Sequence, residues 1–431
     1  LAKPVLAPTL PRKLAALPAR YWVVAGQAVV SATSFLTNVF LARLCGLTVF
    51  GEYSAWQMVL LLALAVQGAL ISQPMQIVHG QTAAARRPAY RQALLTMQLV
   101  FSLVAALAVA GVSLAVPVAT AALPAFLVCL VATCGQDTAR KLLLAEGQVQ
   151  VALLSDVLSG AGQLLVLLYW AVGRVAVPLP AVLWAVGLTT VPALLLSAAA
   201  LRWRPGFAAG ALREFAGAHG RQARWLLPTV LLQWTSANAL LAFAGWAGSA
   251  ATLGILRLAQ TLMGIFNVGL QAAENYVLPK LSQSFARQPR LFEQQRARLT
   301  RTMLLLAAGP IVLLFVLAGP IVGWLQADAL QYSNVLRWCC VLYVVILLVY
   351  PLRLTVRLLD GSRPYFVGYV LSIGVSFGLG RWLIGQWQAS GVVLGWIVAQ
   401  VVLGLYWGLT VWRAQRNNST EPGGLAALET Q

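Results

Sequence analysis

The sequence predicts an all-α integral membrane protein with about twelve transmembrane helices in two six-helix bundles, and three observations predict it. Of its 431 residues, 60% are apolar and 10% charged, against about 45–50% and about 25% in soluble domains. No ordinary aqueous surface can be made from that composition. The apolar residues gather into runs of roughly 20, the length that crosses a hydrocarbon core. Lys and Arg recur in every second connection between those runs, which gives the chain a sidedness. The 36 glycines and 15 tryptophans fit the same reading, since glycine is common in spanning helices and Trp favours the interface. A secreted, cytosolic or nucleic-acid-binding protein is excluded, despite a net charge of +19.

Residues 1–20 form a basic tail interrupted by Pro4, Pro8, Pro11 and Pro18. The apolar run behind it is a full span, so this is no signal peptide. The first six spans fall near 21–44, 50–76, 93–115, 119–138, 151–173 and 177–200. A basic connection, 202–224, separates them from spans near 225–247, 250–278, 302–325, 331–352, 365–385 and 390–412. The organisation is therefore a tail (1–20), a bundle (21–201), a linker (202–224), a second bundle (225–412) and a polar tail (413–431). Within the linker, Phe207, Ala211, Leu212 and Phe215 recur at roughly helical spacing among Arg213, Arg221 and Arg224. That pattern is either a surface-lying amphipathic helix or a plain basic loop.

Twenty-five of the 30 basic residues lie in the two tails and the even-numbered connections, Arg140 and Lys141 among them. The positive-inside rule places those segments, and both termini, in the cytoplasm. Outward connections such as Val116–Ala119 and Gly248–Ala250 are too short to hold a domain. Most of the positive charge thus serves orientation and contact with lipid headgroups. Cys45, Cys129, Cys134, Cys339 and Cys340 all sit in apolar runs without metal-ligand spacing and read as buried small hydrophobes.

Two bundles of six invite a search for self-similarity. An offset of 203 residues matches Gly51 with Gly254 and Gln57 with Gln260, and superposes the outward turns Cys45–Val49 and Gly248–Thr252. Both halves then start on the same side, so the pseudo-repeat is parallel. Arg43 falls opposite Trp246 and is not repeated.

No catalytic constellation is expected, and no metal or cofactor. His79 and His219 lie in loops far apart in sequence, and no Gly-rich phosphate loop with Lys-Ser/Thr occurs, so the chain reads as a non-enzyme. Chemistry is left to ionisable groups in or beside the spans, where a charge costs at least ~2.5–3.5 kcal/mol and therefore faces protein or water. Arg43 and Arg257 read as ligands for an anionic substrate, because guanidinium groups bind phosphate bidentately. Arg337 and Arg381, near span ends, read as snorkelling side chains. Asn38, Gln57, Asn238 and Gln260, with Gln163 and others, would hydrogen-bond sugars or bond helix to helix. Asp156 and Glu274 are candidates for ion coupling, with pairing to Arg140 or Lys280 as the alternative.

The segment Phe40-Leu-Ala-Arg-Leu-Cys-Gly-Leu-Thr-Val-Phe-Gly-Glu-Tyr-Ser54 resembles the first-hairpin motif of the polysaccharide-transport family in the multidrug/oligosaccharidyl-lipid/polysaccharide exporter superfamily. Leu41-Ala42-Arg43, Gly46, Phe50, Gly51 and Tyr53 match that motif, while Cys45 replaces its usual Leu and Leu47 its common Pro. The resemblance implies a MATE-like, alternating-access transporter that flips an undecaprenyl-pyrophosphate-linked oligosaccharide across the bacterial inner membrane. It also implies a cationic cavity for the pyrophosphate and sugar. Expected partners are this lipid-linked oligosaccharide, membrane lipids and components of a polysaccharide polymerase or synthase. The alternatives are a cation/multidrug antiporter of the same fold, or a non-transporting membrane subunit of a synthase complex. The antiporter would need an acidic embedded site, and the chain offers few carboxylates against several arginines.

Overall fold

The structure is a computed structural model that describes residues 18–115, 120–203, 209–287, 289–356 and 363–420. Among these, helices follow one another without a strand. They are α1 (Ala19–Gln67), α2 (Gln73–Gln81), α3 (Arg87–Ala115), α4 (Leu123–Ala145), α5 (Val149–Gly173) and α6 (Leu179–Ala200). Then come α7 (Ala209–Ala247), α8 (Ala250–Arg287), α9 (Pro289–Val316), α10 (Ala318–Leu325), α11 (Ser333–Val356) and α12 (Arg363–Thr420).

Two of these helices are hairpins. In α1 the chain breaks at Gly46, with φ 77° and ψ 165°, a conformation open essentially to glycine alone. The matched glycine of the motif is thus the turn between spans one and two. In α12 the break falls at Gln388, with φ 46° and ψ −122°. Across it Tyr365 stacks on Trp407, with ring centroids 6.0 Å apart. Among the described residues, eight helical stretches are long and apolar enough to cross a membrane, the two hairpins among them. Counting each hairpin twice gives ten crossings; α4 and α8, of spanning length but less apolar, would bring the described residues to the twelve expected. The chain is a multi-pass membrane protein. Ser249 starts α8, its hydroxyl accepting the Thr252 N–H at 3.2 Å and so satisfying one orphan donor of the first turn. The turns at Gly46 and at Gly248–Ser249 fall where the 203-residue offset puts them.

The chain divides into two compact units, Leu1–Trp234 and Thr235–Gln431. In the first, α4 and α6 approach backbone to backbone, since a β-carbon on Gly187 would lie 3.0 Å from Cys129 Cα. Likewise a β-carbon on Gly160 of α5 would lie 2.5 Å from Thr33 Oγ1 of α1. Small residues permit such contacts where no hydrophobic force separates helix from lipid. The outer face of α3 shows the converse, with Leu99, Val100, Leu103, Val104 and Leu107 all exposed, as a lipid-facing surface requires. Inside, Gln67 Nε2 donates to Gln98 Oε1 at 3.1 Å, to the Cys134 carbonyl at 2.8 Å and to Thr138 Oγ1. This amide ties α1, α3 and α4 together. In the second unit the fully buried Leu240 of α7 is wedged between Gly380 and Gly395 of α12. A β-carbon at either glycine would lie 2.8 Å from a Leu240 methyl. Tyr350 donates to the Leu270 carbonyl at 2.7 Å, joining α11 to α8.

Four local expectations need revision. The linker is no separate surface element, because residues from Ala209 run without a break into the seventh span. Phe215 is buried in the first unit's core with Met75, Tyr90, Leu94, Leu142 and Leu143, so its apolar side faces protein rather than lipid; Phe207 lies outside the described residues. Arg86 holds Glu214 through both Nη groups, at 3.0 and 2.6 Å. The two histidines are buried on helices, not placed in loops. His219 Nδ1–H donates to the Leu70 carbonyl at 3.2 Å, and its Nε2 then accepts the Tyr90 hydroxyl at 2.9 Å. His79 lies beside the same tyrosine, ring centroids 6.2 Å apart. Leu70 belongs to a π-helical turn, Gly68–Ser72, that joins α1 to α2. Span four is also longer than expected, so Arg140 and Lys141 lie on α4 rather than in a connection. Finally, Cys45 is half-buried, whereas the other four cysteines are buried.

Candidate functional site

The α1 hairpin brings two polar stripes face to face. Thr33, Ser34, Thr37 and Asn38 on its first half look toward Tyr53 and Gln57 on its second. Thr133, Gln136, Asp137 and Arg140 of α4 share one helical face by their three- and four-residue spacing. Asp156, Ser159 and Gln163 of α5 and Thr190 of α6 complete a cavity of about 380 Å³. Polar side chains in hydrocarbon carry several kcal/mol of cost unless solvated or paired, so a lining of this kind marks an interior recess rather than a lipid-facing groove.

Its charges are paired internally. Arg140 Nε donates to Asp156 Oδ2 at 2.8 Å, the arginine side chain 19% exposed and the aspartate 5%. Lys141 Nζ donates to Asp137 Oδ2 at 2.7 Å. Ser72, at the end of the π-turn, reaches the same carboxylate at 3.5 Å. Behind α5, Gln136 Nε2 donates to Ser155, and Ser197 donates to the Ala193 carbonyl at 2.8 Å with its oxygen 3.1 Å from the Ser155 hydroxyl. The wall beside Asp156 is thus held by bonds among α4, α5 and α6. Among the described residues, no group of three or more His, Cys, Asp or Glu side chains comes together.

Of the residues singled out in the sequence, Asn38, Gln57 and Asp156 meet here, together with Gln163. Asp156 is paired with Arg140. Arg43 does not line the cavity; it is exposed on α1 just before the Gly46 turn. Arg257 and Gln260 are neighbours on α8, the guanidinium donating to the amide oxygen at 3.1 Å. Asn238 is half-buried on α7. Glu274 falls in α8 outside the described side chains. Sequence reasoning offered Arg140 as a pairing partner for Asp156, as found, but not as a cavity residue, and it missed Gln136 and Asp137. The polar stripe from Thr133 to Arg140 was there to be found by its helical period, but its one base, Arg140, was assigned to orientation.

No protein-family model and no curated protein matches the sequence. Solved structures do. A lipid II flippase, MurJ, in an inward closed conformation superposes with TM-score 0.67 at 12% identity, over 91% of this chain and 87% of that one. An inward-facing multidrug resistance MATE family transporter of the MOP superfamily gives 0.68 at 10% identity, over 93% and 99%. An outward-facing MATE transporter gives 0.62 at 13% identity, over 95% of both chains. The chain therefore has the all-α, MATE-like fold that these MOP-superfamily transporters share.

Proposed function

We propose that this chain is an alternating-access transporter. Its cargo is an undecaprenyl-pyrophosphate-linked oligosaccharide, moved across a bacterial inner membrane, with both termini of the chain cytoplasmic. The observation that carries the reading is the amide- and hydroxyl-lined cavity inside the first helical unit, with Asn38, Gln57, Gln163 and Arg140 on its walls. Amides and hydroxyls suit sugar hydroxyls, and a guanidinium suits phosphate. The fold shared with a lipid flippase and with multidrug transporters, and the Leu41-Ala42-Arg43 hairpin motif, support the same reading. An antiporter for cationic drugs would need a carboxylate at liberty to receive them, whereas Asp137 and Asp156 already hold Lys141 and Arg140.

The test is cell-surface polysaccharide in a strain lacking the protein, complemented with wild type, with Arg140→Gln or with Arg43→Ala plus Arg257→Ala, all at matched expression. Loss on deletion, rescued by wild type and not by Arg140→Gln, is the expected result. Surface polysaccharide unchanged by deletion, in a strain with no second such transporter, overturns the glycan reading. The Arg43/Arg257 double variant reports whether those two arginines share in handling the cargo.

A further inference from the structure

Among the described residues of the first unit, three arginines form ion pairs with carboxylates, and they do so differently. Arg86 spends both Nη groups on Glu214. Arg91 holds Glu146 through Nε and Nη2, at 2.5 and 2.8 Å, and gives Nη1 to the Leu201 carbonyl. Arg140 engages Asp156 through Nε alone, and Asp156 accepts through Oδ2 alone. Among the described residues neither Nη group of Arg140 has a hydrogen-bond partner. This arginine is also the one that lines the cavity. Its carboxylate sits over Gly26 of α1, where the absent β-carbon would lie 3.1 Å from Oδ2 and 3.8 Å from Arg140 Nη2. The recess that accommodates the pair is therefore made by a glycine.

A guanidinium binds a tetrahedral oxyanion through two parallel N–H groups, and that fork is stronger than a single-point contact. We propose that Arg140 is the phosphate-binding residue of this cavity and that Asp156 is its resident competitor. In this arrangement the oxygens of an entering phosphate or diphosphate take the open Nη groups and, on the edge formed by Nε and Nη2, exchange with the carboxylate. Without cargo, Asp156 keeps the partly buried guanidinium paired, avoiding the cost of a lone charge in a bundle of apolar helices. With cargo, the pair is exchanged rather than created. The proposal rests on the reading that the cargo carries phosphate. It adds a consequence that a purely structural ion pair lacks: removing the competitor's charge improves anion binding, because the binding-competent arrangement becomes the populated one.

The experiment uses the full chain in phosphatidylcholine nanodiscs. It measures binding of inorganic pyrophosphate and of farnesyl diphosphate to wild type, Asp156→Asn, Arg140→Gln and Arg140→Lys, with thermal unfolding of each as a check on folding. Asp156→Asn is expected to tighten both probes by about fivefold or more, and Arg140→Gln to weaken both by about tenfold or more. Arg140→Lys retains a single-point contact to Asp156 but lacks the fork, so it is expected to fold and still bind poorly. If pyrophosphate and farnesyl diphosphate bind alike, the site reads free phosphate chemistry; if only the latter binds, the anion must arrive on a lipid. Unchanged or weaker binding in a folded Asp156→Asn protein, or wild-type binding in Arg140→Lys, overturns the proposal. So does the absence of binding to every form. The surface-polysaccharide assay uses neither probe and judges the transport reading separately.

Discussion

Replacing His219 with alanine is expected to destabilise the first unit by about 3–5 kcal/mol. The ring is 2% exposed and makes two bonds, to the Leu70 carbonyl at 3.2 Å and from the Tyr90 hydroxyl at 2.9 Å. Tyr90 is fully buried, so its hydroxyl would be left without that partner, a loss of about 1–3 kcal/mol. The bond to Leu70 adds about 1 kcal/mol net, and the emptied ring volume adds a cavity term of similar size. The assay is reversible unfolding in mixed micelles, with Tyr90→Phe and the double variant completing a cycle. Because the two groups touch, the cycle should show a coupling of at least about 0.5 kcal/mol. Hydrogen exchange should rise in Gly68–Ser72 and in the first turns of α7, leaving α5 unchanged. A loss below about 0.5 kcal/mol, or strict additivity of the two substitutions, would refute the claim that His219 fastens α7 to the π-turn.

Other outcomes follow from the same geometry. Gly187→Val should abolish a folded first unit, seen as loss of monodisperse protein in detergent, because the Cys129 backbone 3.0 Å away cannot yield as a side chain would. Gln388→Gly should stabilise the second unit by about 0.5–1 kcal/mol by relieving the positive φ of 46°; a raised unfolding midpoint checks it. A cysteine placed at Gln163, in a chain stripped of its own cysteines, should react with a small polar thiol reagent, whereas one at Leu103 should not. Equal labelling at the two positions would argue against a wet cavity.

The spans and the hairpin glycine were readable because each is a local property. A run of apolar residues excludes water whatever it packs against, and Gly46 turns the chain through its own φ. Asn38 and Gln57 were readable as polar groups in apolar runs, though not as neighbours. Arg140 was misplaced for a definite reason. Its charge ends an apolar run, so the helix looks finished, and the group that lets it stay inside is Asp156 on the next helix. His219 and Tyr90 are 129 positions apart in sequence, and nothing local to either predicts that one will complete the other's hydrogen bonds. The linker was misjudged likewise: its apolar spacing was correct, but spacing alone does not distinguish a lipid surface from the buried slot that receives Phe215.

The π-helical turn at Gly68–Ser72 also sets the rotational phase of everything beyond it. Each residue advances a helix by about 100°, so the extra residue in that turn shifts every later side chain by about that angle. Met75, Val78 and His79 face the core, while Ile77 is left outside, only because of that shift. Forcing Gly68–Ser72 into regular α-helical bonding at its full length would rotate α2 by about 100°. Met75 and His79 would leave the core together, and the Leu70 carbonyl would turn away from His219. The second span therefore behaves as two helical screws cut with the same pitch and joined out of phase, and the residues on either side of the joint must be changed together or not at all.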